Sequence, residues 1–536
     1  MKRVFLQNNY GFSWNSSANC FVKGYLIDKN DNFYRDERIL EYFGEVDSFA
    51  DFEERVKYAN GCFAVVFKKD GDLFVASDKI RSIPLFYTRF EGKWIVSDNP
   101  YYLVEKTGLN EKNSVASFEF LATGYVTGDE TLVEGIRQVQ AGEIINLKKD
   151  DYSSRFYYSF RVNDTIDEEY DVMRKAGINV FEKAFSRLVK SLEGKTAVIP
   201  LSGGYDSRLI AVMLKKAGYE NVICFTYGRR GNPEIPVSEE VAKRLGFKWY
   251  YIEYHDDRIQ DYMKNEDFKD YYRFASSLVS MFFMQEYFAV RYLKDNKIIP
   301  EDSVFIPGHS GDFLGGSQLN KHGNLNLKED DEAIVGRIYD VKYCYKKPAK
   351  DEVERIKERI ARSLKEKYSV ENALAYSVHE DWDFKEKLAK FNFNSITTYT
   401  YFEYEYRLPF WDADLLDFFK YLPLHAKINK YLYDDILTNQ FFEQYDLNLG
   451  EDLQLKETDI KKLKIKSRIK KYLPEDAKRL FVKTGDGIFY NEITAQLRED
   501  LDKQGIKIKI HGNSYNSLII QWYHFQIEEY LKSFKS

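Results

Sequence analysis

Cysteine is scarce in this sequence, and long apolar runs are missing. The 536 residues include four cysteines, Cys20, Cys62, Cys224 and Cys344, and no C-x-x-C pair, which argues against a disulfide framework or a zinc site and fits a reducing cytoplasm. No stretch approaches the roughly 20 apolar residues of a membrane span, and the first residues lack the apolar core of a signal peptide. We therefore expect a cytoplasmic protein without a membrane span.

An excess of positive charge is also missing. Lysine and arginine total 79 against 85 aspartates and glutamates, a formal net charge of −6, so the chain offers no general attraction to nucleic acid. The sequence contains no internal repeat and no low-complexity linker. An apolar share of 44% beside 31% charged residues is typical of a globular protein, and this length accommodates two or three domains.

A glycine-rich turn between an apolar run and a helix is the most informative local pattern. Residues 196–201 read as a buried strand, 202–207 read Ser-Gly-Gly-Tyr-Asp-Ser, and 208–217 read as a helix. Such a turn gathers backbone N–H groups at a helix N-terminus, where they bind anions. One interpretation is an ordinary strand-to-helix turn, and the other is a phosphate site for a nucleotide.

The side chains of this turn favour the phosphate site. Gly203 and Gly204 leave room for a phosphate beside the backbone, Ser202 and Ser207 supply hydroxyls, and Asp206 supplies a carboxylate suited to Mg²⁺. The Walker pattern and the dinucleotide fingerprint are both absent from the turn. What remains resembles the pyrophosphate loop of the ATP pyrophosphatases, which cleave ATP between its α- and β-phosphates.

The segments that follow predict a parallel sheet. Residues 221–227 and 249–253 are apolar and rich in β-formers, and an amphipathic helix pattern lies between them. Ligands of a βαβ series bind beyond the carboxyl ends of its strands. We therefore expect Tyr227 and Gly228, at the end of the second strand, to border the adenosine of ATP.

A second glycine cluster follows another short apolar run. Residues 308–316 read Gly-His-Ser-Gly-Asp-Phe-Leu-Gly-Gly after residues 303–306. A flexible loop would account for the glycines alone. An acid inside such a turn also suits a second Mg²⁺ ligand, so we expect Asp206 and Asp312 to hold Mg²⁺ on the pyrophosphate, with Gly308 beside the nucleotide.

Several segments, in one order along the chain, resemble the glutamine-dependent asparagine synthetase family. They are 61–66 (GCFAVV), 78–87 (DKIRSIPLFY), 120–147, 202–207, 308–316, 407–412 (RLPFWD) and 429–432 (NKYL). The resemblance implies an α+β N-terminal domain, a glutaminase-type αββα sandwich over residues 1–160, followed by an α/β ATP-pyrophosphatase domain with a helical C-terminal part over residues 165–536. It also implies ATP and Mg²⁺ as cofactors, a small-molecule carboxylate with ammonia or an amine as substrates, and a homodimer.

The boundary between these domains is predicted in the polar passage 157–167. A helix is predicted directly after it, over residues 168–192. Its spacing places Val172, Ala176, Val180 and Ala184 in one apolar row.

The first domain departs from the family at the position of the nucleophile. Lys2 stands where the family has an N-terminal cysteine that attacks glutamine, and none of the four cysteines is at the terminus. Cys62 lies in an apolar run typical of a packed core thiol. The segment that holds glutamine in the family has no clear counterpart either. We expect this domain to keep the fold without glutaminase activity.

The second domain departs from the family in two respects. His309 takes the place of a glutamate that acts in amide formation; its imidazole could serve as a base or a phosphate contact, or it could lie idle on the surface. Lys430 matches a family lysine in sequence order and is a candidate catalytic residue. The stretch that carries another catalytic lysine cannot be placed, and the basic run 461–471 could contain it or form a solvated face.

These residues and the resemblance together predict an ATP-dependent, AMP-forming ligase. It would adenylate a carboxylate and join it to free ammonia or an amine, without glutamine hydrolysis by its own first domain. The carboxylate is open, and the resemblance also suggests sugar acids or specialised amino acids of surface-polysaccharide or natural-product biosynthesis. The alternative is a non-catalytic relative that binds ATP for regulation or assembly. A tRNA-modifying enzyme is disfavoured by the charge balance and the missing C-x-x-C.

Overall fold

Two β-sheets lie face to face in the N-terminal part of the chain. A computed structural model describes residues 3–8, 10–166, 168–319, 329–365, 373–449, 486–508 and 514–534. The N-terminal strands are β1 Val4–Phe5, β2 Trp14–Ser16, β3 Cys20–Ile27, β4 Phe33–Arg35, β5 Asn60–Lys69, β6 Asp72–Ser77, β7 Phe86–Phe90, β8 Lys93–Ser97, β9 Arg137–Gln138, β10 Glu143–Leu147 and β11 Tyr152–Phe156. The helices that accompany them are α1 Ile39–Phe43, α2 Phe49–Tyr58, α3 Pro100–Thr107 and α4 Ser114–Thr123.

The strand order builds one larger and one smaller sheet. The larger runs β11-β10-β6-β5-β3-β2, with β4 paired to β3, and the smaller runs β1-β8-β7-β9. Tyr87 of β7 and Tyr152 of β11 bring their ring centroids within 6.2 Å across the gap between the sheets. Helix α3 packs against β7 and β8.

Alternating side chains of β5 explain why the larger sheet is covered on both faces. Ala64 and Val66 lie in the core that includes the smaller sheet. Phe63 points the other way and meets Phe43 of α1 at 5.9 Å, and Phe43 meets Phe52 of α2 at 6.4 Å. Because side chains on a strand alternate between faces, one apolar strand supports a sheet on one side and helices on the other.

A parallel sheet forms the centre of the C-terminal part. Its strands are β12 Ala197–Pro200, β13 Val222–Gly228, β14 Lys248–Glu253, β15 Val304–Phe305 and β16 Glu405–Tyr406, in the order β14-β13-β12-β15-β16. All of these neighbours pair in parallel. The chain builds outward from β12 to β14 and then crosses back to β15, so the turns after β12 and β15 meet at one edge. Ligands of open parallel sheets bind at such a reversal of strand order.

Helices surround this sheet and make up most of the C-terminal part. They are α5 Tyr170–Leu192, α6 Tyr205–Lys216, α7 Glu234–Leu245, α8 Asp256–Ile259, α9 Glu266–Ser276, α10 Tyr287–Asp295, α11 Gly311–Leu314, α12 Asp331–Lys342, α13 Lys350–Lys365, α14 Ala375–Trp382, α15 Thr397–Tyr401, α16 Ala413–Lys420, α17 Leu424–Lys427, α18 Tyr431–Asp435, α19 Tyr490–Lys503 and α20 Ser514–Lys532. A π-helical segment, Asp383–Asn392, continues α14. Across the described ranges, no helix has the length and apolar character needed to cross a bilayer.

The apolar row predicted on α5 was wrong at its start. Val172 is 51% exposed, although Ala184 is buried. Met173 and Gly177 are buried instead. A Cβ on Gly177 would lie 2.6 Å from Cδ1 of Ile436, so the helix presents its smallest residue where another segment crosses it. The contact partner, which comes from a distant part of the sequence, decides the buried face.

Arg407, directly after β16, joins the two parts of the molecule. Its guanidinium lies 4.3 Å from the ring centroid of Tyr25 and 5.5 Å from that of Phe33. Nη2 pairs with Glu405 at 2.9 Å, and Nε donates to the hydroxyl of Ser191 at 3.2 Å. The large apolar core runs through both parts without a break. The N-terminal sheets therefore fix the position of the chain as it leaves β16.

Candidate active site

The turn after β12 presents the start of α6 to a cavity. Gly204 is the extended residue before the helix, and no side chain caps the first turn, which leaves its N–H groups for an anion. The hydroxyl of Ser207 accepts the N–H of Ser202 at 3.1 Å, and the hydroxyl of Ser202 accepts the N–H of Gly204 at 3.2 Å. The serine hydroxyls therefore hold the shape of the turn.

Asp206 and Asp312 come together at the edge where β12 and β15 end. The backbone N–H of Asp312 donates to Oδ2 of Asp206 at 2.9 Å, and the hydroxyl of Tyr433 donates to Oδ1 at 2.8 Å. Burial and the charge of Asp312 raise the pKa of Asp206 to about 7. Two facing carboxylates disfavour a second negative charge, and a cation relieves that cost.

The oxygen donors of this pair fit Mg²⁺ held jointly with phosphate. Within the described residues, no group of three or more histidine, cysteine and acidic side chains could hold a metal alone. Mg²⁺ is ordinarily bound by one or two carboxylates, with phosphate and water oxygens completing its shell. Asp206 and Asp312 would thus hold the ion only together with the phosphates of a nucleotide.

Two glycines let the second glycine cluster touch the first. A Cβ on Gly308 would lie 2.6 Å from the backbone nitrogen of Ser207, and a Cβ on Gly311 would lie 2.8 Å from the carboxyl carbon of Asp206. Both distances are shorter than carbon and nitrogen atoms tolerate. The glycines of residues 308–316 are therefore required for the approach of the loops.

Lys430 reaches the cavity from a strained turn before α18. Its φ of 56° and that of Asn429, also 56°, are left-handed, a conformation that costs free energy for residues with a Cβ. The ammonium of Lys430 pairs with Asp434 at 2.9 Å, and its positive charge acts on Asp206 to lower the pKa of that carboxyl. Lys430 is thus the positive group beside the carboxylate pair.

His309 is half-buried and held on both sides. Its Nε2 lies 2.6 Å from the hydroxyl of Ser395, and its backbone carbonyl accepts the indole N–H of Trp411 at 3.3 Å. Burial lowers the pKa of His309 to about 4. The imidazole is therefore neutral at physiological pH and can donate or accept one hydrogen bond toward the cavity.

The cavity that these groups line has a volume of about 770 Å³, which suits a nucleotide. The predicted residues on its wall are Ser202, Gly203, Gly204, Asp206, Ser207, Tyr227, Gly308, His309, Asp312 and Lys430. Gly228 is not on the wall. Its Cβ position lies 2.4 Å from the carbonyl oxygen of Gly487, and that carbonyl accepts the N–H of Arg229 at 2.7 Å. The segment that begins at residue 486 therefore covers Gly228.

Comparison with protein families decides the affiliation of the chain. The family model of asparagine synthase matches residues 181–476. This chain belongs to the asparagine synthase family. The model of a glutamine amidotransferase domain matches residues 48–158, so an amidotransferase-type domain precedes the asparagine synthase domain.

Individual relatives of this asparagine synthase family member match only in part. A probable glutamine-hydrolysing asparagine synthetase of Acanthamoeba polyphaga mimivirus is 28% identical over 135 residues, which cover 24% of this chain and 23% of that protein. A 7-cyano-7-deazaguanine synthase of Pseudomonas paraeruginosa is 45% identical over 53 residues, 10% of this chain and 24% of that one. The matches span about a quarter of each relative.

Solved structures give only weak likenesses to this family member. An NH3-dependent NAD synthetase from Campylobacter jejuni has 15% identity and a TM-score of 0.20, over 38% of this chain and 100% of that one. A glutamine phosphoribosylpyrophosphate amidotransferase from B. subtilis has 10% identity and a TM-score of 0.19, over 55% and 63% of the chains. TM-scores this low carry no argument about fold or activity.

Several residues on the cavity wall were not predicted from the sequence. They are Glu234, Gln285, Glu286, Asp434 and Ile488. Tyr433, which donates a hydrogen bond to Asp206, was not predicted either. Asp434 follows Lys430 by four residues, a spacing that pairs charges on one helical face, and this signal was available. Glu286 had no such signal, because its partners lie far away in the sequence. The basic run 461–471 lies outside the described residues.

The described cysteines of the amidotransferase-type domain are core thiols. Cys20 is 1% exposed and Cys62 is 2% exposed, and burial raises the pKa of each thiol to about 12. A thiol with so high a pKa is not a nucleophile at neutral pH.

Proposed function

We propose that this protein is an ATP-dependent, AMP-forming ligase that activates a carboxylate and joins it to ammonia or an amine. In the first step the carboxylate oxygen attacks the α-phosphorus of ATP, and pyrophosphate leaves. In the second step the nitrogen attacks the acyl carbon, the bond from carbon to the phosphate oxygen breaks, and AMP and a proton leave. The observation that carries the proposal is the pairing of Asp206 and Asp312 beside the uncapped start of α6.

The turn and the carboxylate pair would act on the leaving group. The N–H groups in the first turn of α6 would bind the pyrophosphate, and Gly203 and Gly204, which carry no side chain, would leave room for it. Asp206 and Asp312 would hold Mg²⁺, which when bound neutralises charge that develops on the pyrophosphate. Lys430, fixed by Asp434, would add a positive charge on the same side.

Two further residues of the cavity wall would contact the substrates. Tyr227 ends β13 on the wall and would border the adenosine. His309, neutral because of its burial, would give or accept one hydrogen bond at the reacting groups. Catalysis would rest on fixed charges and donors that match the charge formed during the reaction.

The nitrogen would come from free ammonia or an amine. The support is the burial of Cys20 and Cys62 in strands β3 and β5, which leaves neither thiol free to attack glutamine.

One observation favours the alternative of a non-catalytic ATP-binding protein. The carboxyl of Glu234 accepts a hydrogen bond from the backbone of Gly203, and its pKa is raised by burial. This contact occupies one donor of the phosphate turn with an acid. Such a protein would bind ATP without releasing pyrophosphate.

A substrate screen tests both proposals. The full chain is incubated with ATP, Mg²⁺ and ammonium or an amine, together with libraries of carboxylic acids, and products are read by mass spectrometry. The ligase predicts AMP and pyrophosphate that depend on an added acid, and a new amide. Thermal stabilisation by ATP without acid-dependent pyrophosphate release would support the non-catalytic alternative. Formation of ADP and phosphate alone would overturn the adenylation step.

A further inference from the structure

Glu286 forms part of the cavity wall beside Tyr227. It directly precedes α10 and lines the same cavity as Asp206. Its Oε1 accepts the hydroxyl of Tyr227 at 3.4 Å, and its Oε2 accepts the hydroxyl of Tyr399. Each carboxylate oxygen can accept a further hydrogen bond, so the carboxylate can still accept hydrogen bonds from a molecule in the cavity.

Packed aromatic rings hold this carboxylate in place. Tyr227 stacks on Tyr254 with ring centroids 5.5 Å apart, and Tyr399 stacks on Phe305 of β15 at 4.4 Å. The hydroxyl of Tyr254 also donates to the backbone carbonyl of Gln285 at 2.8 Å. The carboxylate is therefore fixed by groups from β13, β15 and α15, and it does not swing freely on its own segment.

No protein cation balances the charge of Glu286 within the described ranges. The groups that favour its charged form there are the hydroxyls of Tyr399 and Tyr227, while burial raises its pKa to about 7. Two fully buried acids of this domain each have a cation: Glu380 pairs with Lys427, and Asp381 pairs with Arg161. Glu286 is half-buried and lines the cavity, so a cation that enters the cavity can reach its carboxylate.

We infer that Glu286 is the binding group for a primary ammonium of a substrate. An ammonium offers three donors to the carboxylate and supplies the missing positive charge. This inference rests on the proposed function, and it requires that one of the two substrates carries a primary amine.

The ammonium has two possible sources within that reaction. It can belong to the nitrogen donor, which then is an amine and not ammonia, or to an amino acid that supplies the carboxylate. If it belongs to the donor, the ammonium passes a proton to the carboxylate of Glu286 before its nitrogen attacks the acyl carbon. If it belongs to the amino acid, it stays protonated and only orients the acid. The shared chemistry in both cases is the ammonium.

A binding measurement that needs no turnover tests the inference. Saturation-transfer NMR compares n-butylammonium with n-butanol on the full chain, in the presence of Mg²⁺ and α,β-methylene-ATP. The wild type is expected to bind butylammonium, and Glu286→Gln is expected to bind it about tenfold more weakly or worse, since a charged hydrogen bond is lost. Glu301→Gln, an exposed acid of the same domain, is the matched control and should bind like the wild type.

A second variant separates loss of charge from loss of structure. Tyr399→Phe removes one donor to Glu286 and keeps the carboxylate, so it should weaken butylammonium binding less than Glu286→Gln does. Equal binding of butylammonium to wild type and Glu286→Gln would overturn the inference. The inference would also be overturned if Glu286→Gln lost as much affinity for α,β-methylene-ATP as for butylammonium. The carboxylate would then contact the adenine of the nucleotide.

The substrate screen distinguishes the two sources. If the ammonium is the nitrogen donor, Glu286→Gln raises the KM for the amine and leaves acid-dependent pyrophosphate release unchanged. If it belongs to the acid, Glu286→Gln lowers pyrophosphate release itself. Binding of butylammonium without AMP formation would support the ammonium site at Glu286 and would overturn the proposed ligase activity.

Discussion

Single residues in the cavity owe their properties to partners from distant segments. Asp206 is an ordinary aspartate in the sequence, yet burial and the charge of Asp312 raise its pKa in the folded chain. Burial likewise changes the pKa of His309, which it lowers because protonation of a buried imidazole is costly. At this scale, chemistry follows from the surroundings that the fold supplies.

The carboxylate pair gives a test by substitution. Asp206→Asn and Asp312→Asn are each expected to lower acid-dependent pyrophosphate release by about 100-fold or more, because each removes charge that would hold Mg²⁺. Tyr433→Phe keeps both charges and should cost about tenfold. Initial rates measure the effect, and Asp302→Asn, an exposed acid of the same domain, should keep the full rate. Unchanged rates of pyrophosphate release in both Asn variants would show that the pair takes no part in the reaction.

His309 gives a test by pH. Its pKa is about 4 in the folded chain against a usual value of 6.5, so between these values the unfolded chain binds a proton that the folded chain does not. Stability from this residue is therefore complete above pH 6.5 and lost as the pH falls toward 4. Melting temperatures at pH 7 and pH 5 should differ less for His309→Asn than for the wild type. His425→Asn, at an exposed position, should behave like the wild type, and equal pH dependence in all three would contradict the assignment.

At the scale of elements, a buried ion pair positions the turn that carries Lys430. The ammonium of Lys427, at the end of α17, meets the carboxylate of Glu380 in α14 at 2.7 Å, and both side chains have no exposed surface. Gln318 donates to the other carboxylate oxygen at 2.9 Å. The pair connects two helices directly before the left-handed residues of the turn.

Breaking this pair should be costly, and removing both charges less so. Lys427→Met is expected to lower the free energy of unfolding by about 3–5 kcal/mol, because Glu380 would be left as an unpaired buried charge. Lys427→Met with Glu380→Gln should recover part of that loss. Denaturant unfolding compares the three proteins. A double variant less stable than Lys427→Met would show that the pair contributes net stability beyond charge balance.

The sequence predicts local elements well and distant contacts poorly. Strand β12, the phosphate turn and α6 follow from neighbouring residues alone, since apolar runs and glycines act within a few positions. The loop of Asp312 was also predicted, because its glycine pattern is local. The buried face of α5 was missed at Val172, and Glu286 was missed altogether. Their partners, Ile436 for the helix and Tyr399 for the acid, are more than a hundred residues away.

At the scale of the whole molecule, the two domains share one apolar core but divide the chemistry unequally. Every candidate group of the reaction lies in the asparagine synthase domain, around one cavity. The amidotransferase-type domain contributes aromatic surface to Arg407 and buried thiols. Under the proposed function, the first domain stabilises the second through their shared core and does not supply it with ammonia.

Isotope labelling tests this division. With ¹⁵N-ammonium or a ¹⁵N-amine the amide product should carry the label, whereas amide-labelled glutamine should give neither labelled product nor glutamate, because Cys20 and Cys62 are buried. Mass spectrometry reads both products. Glutamate released in step with amide formation would contradict the division and assign the first domain a working nucleophile.

Arg407 has a consequence for how such a protein changes during evolution. Arg407 is 1% exposed, and the aromatic rings of Tyr25 and Phe33 that pack on its guanidinium belong to the domain with no proposed reaction. Deleting that domain would expose to water a surface that is built for protein contact, directly after β16 of the asparagine synthase domain. Under the proposed function, the first domain would therefore act as a folding partner of the second, even though it would catalyse no step itself.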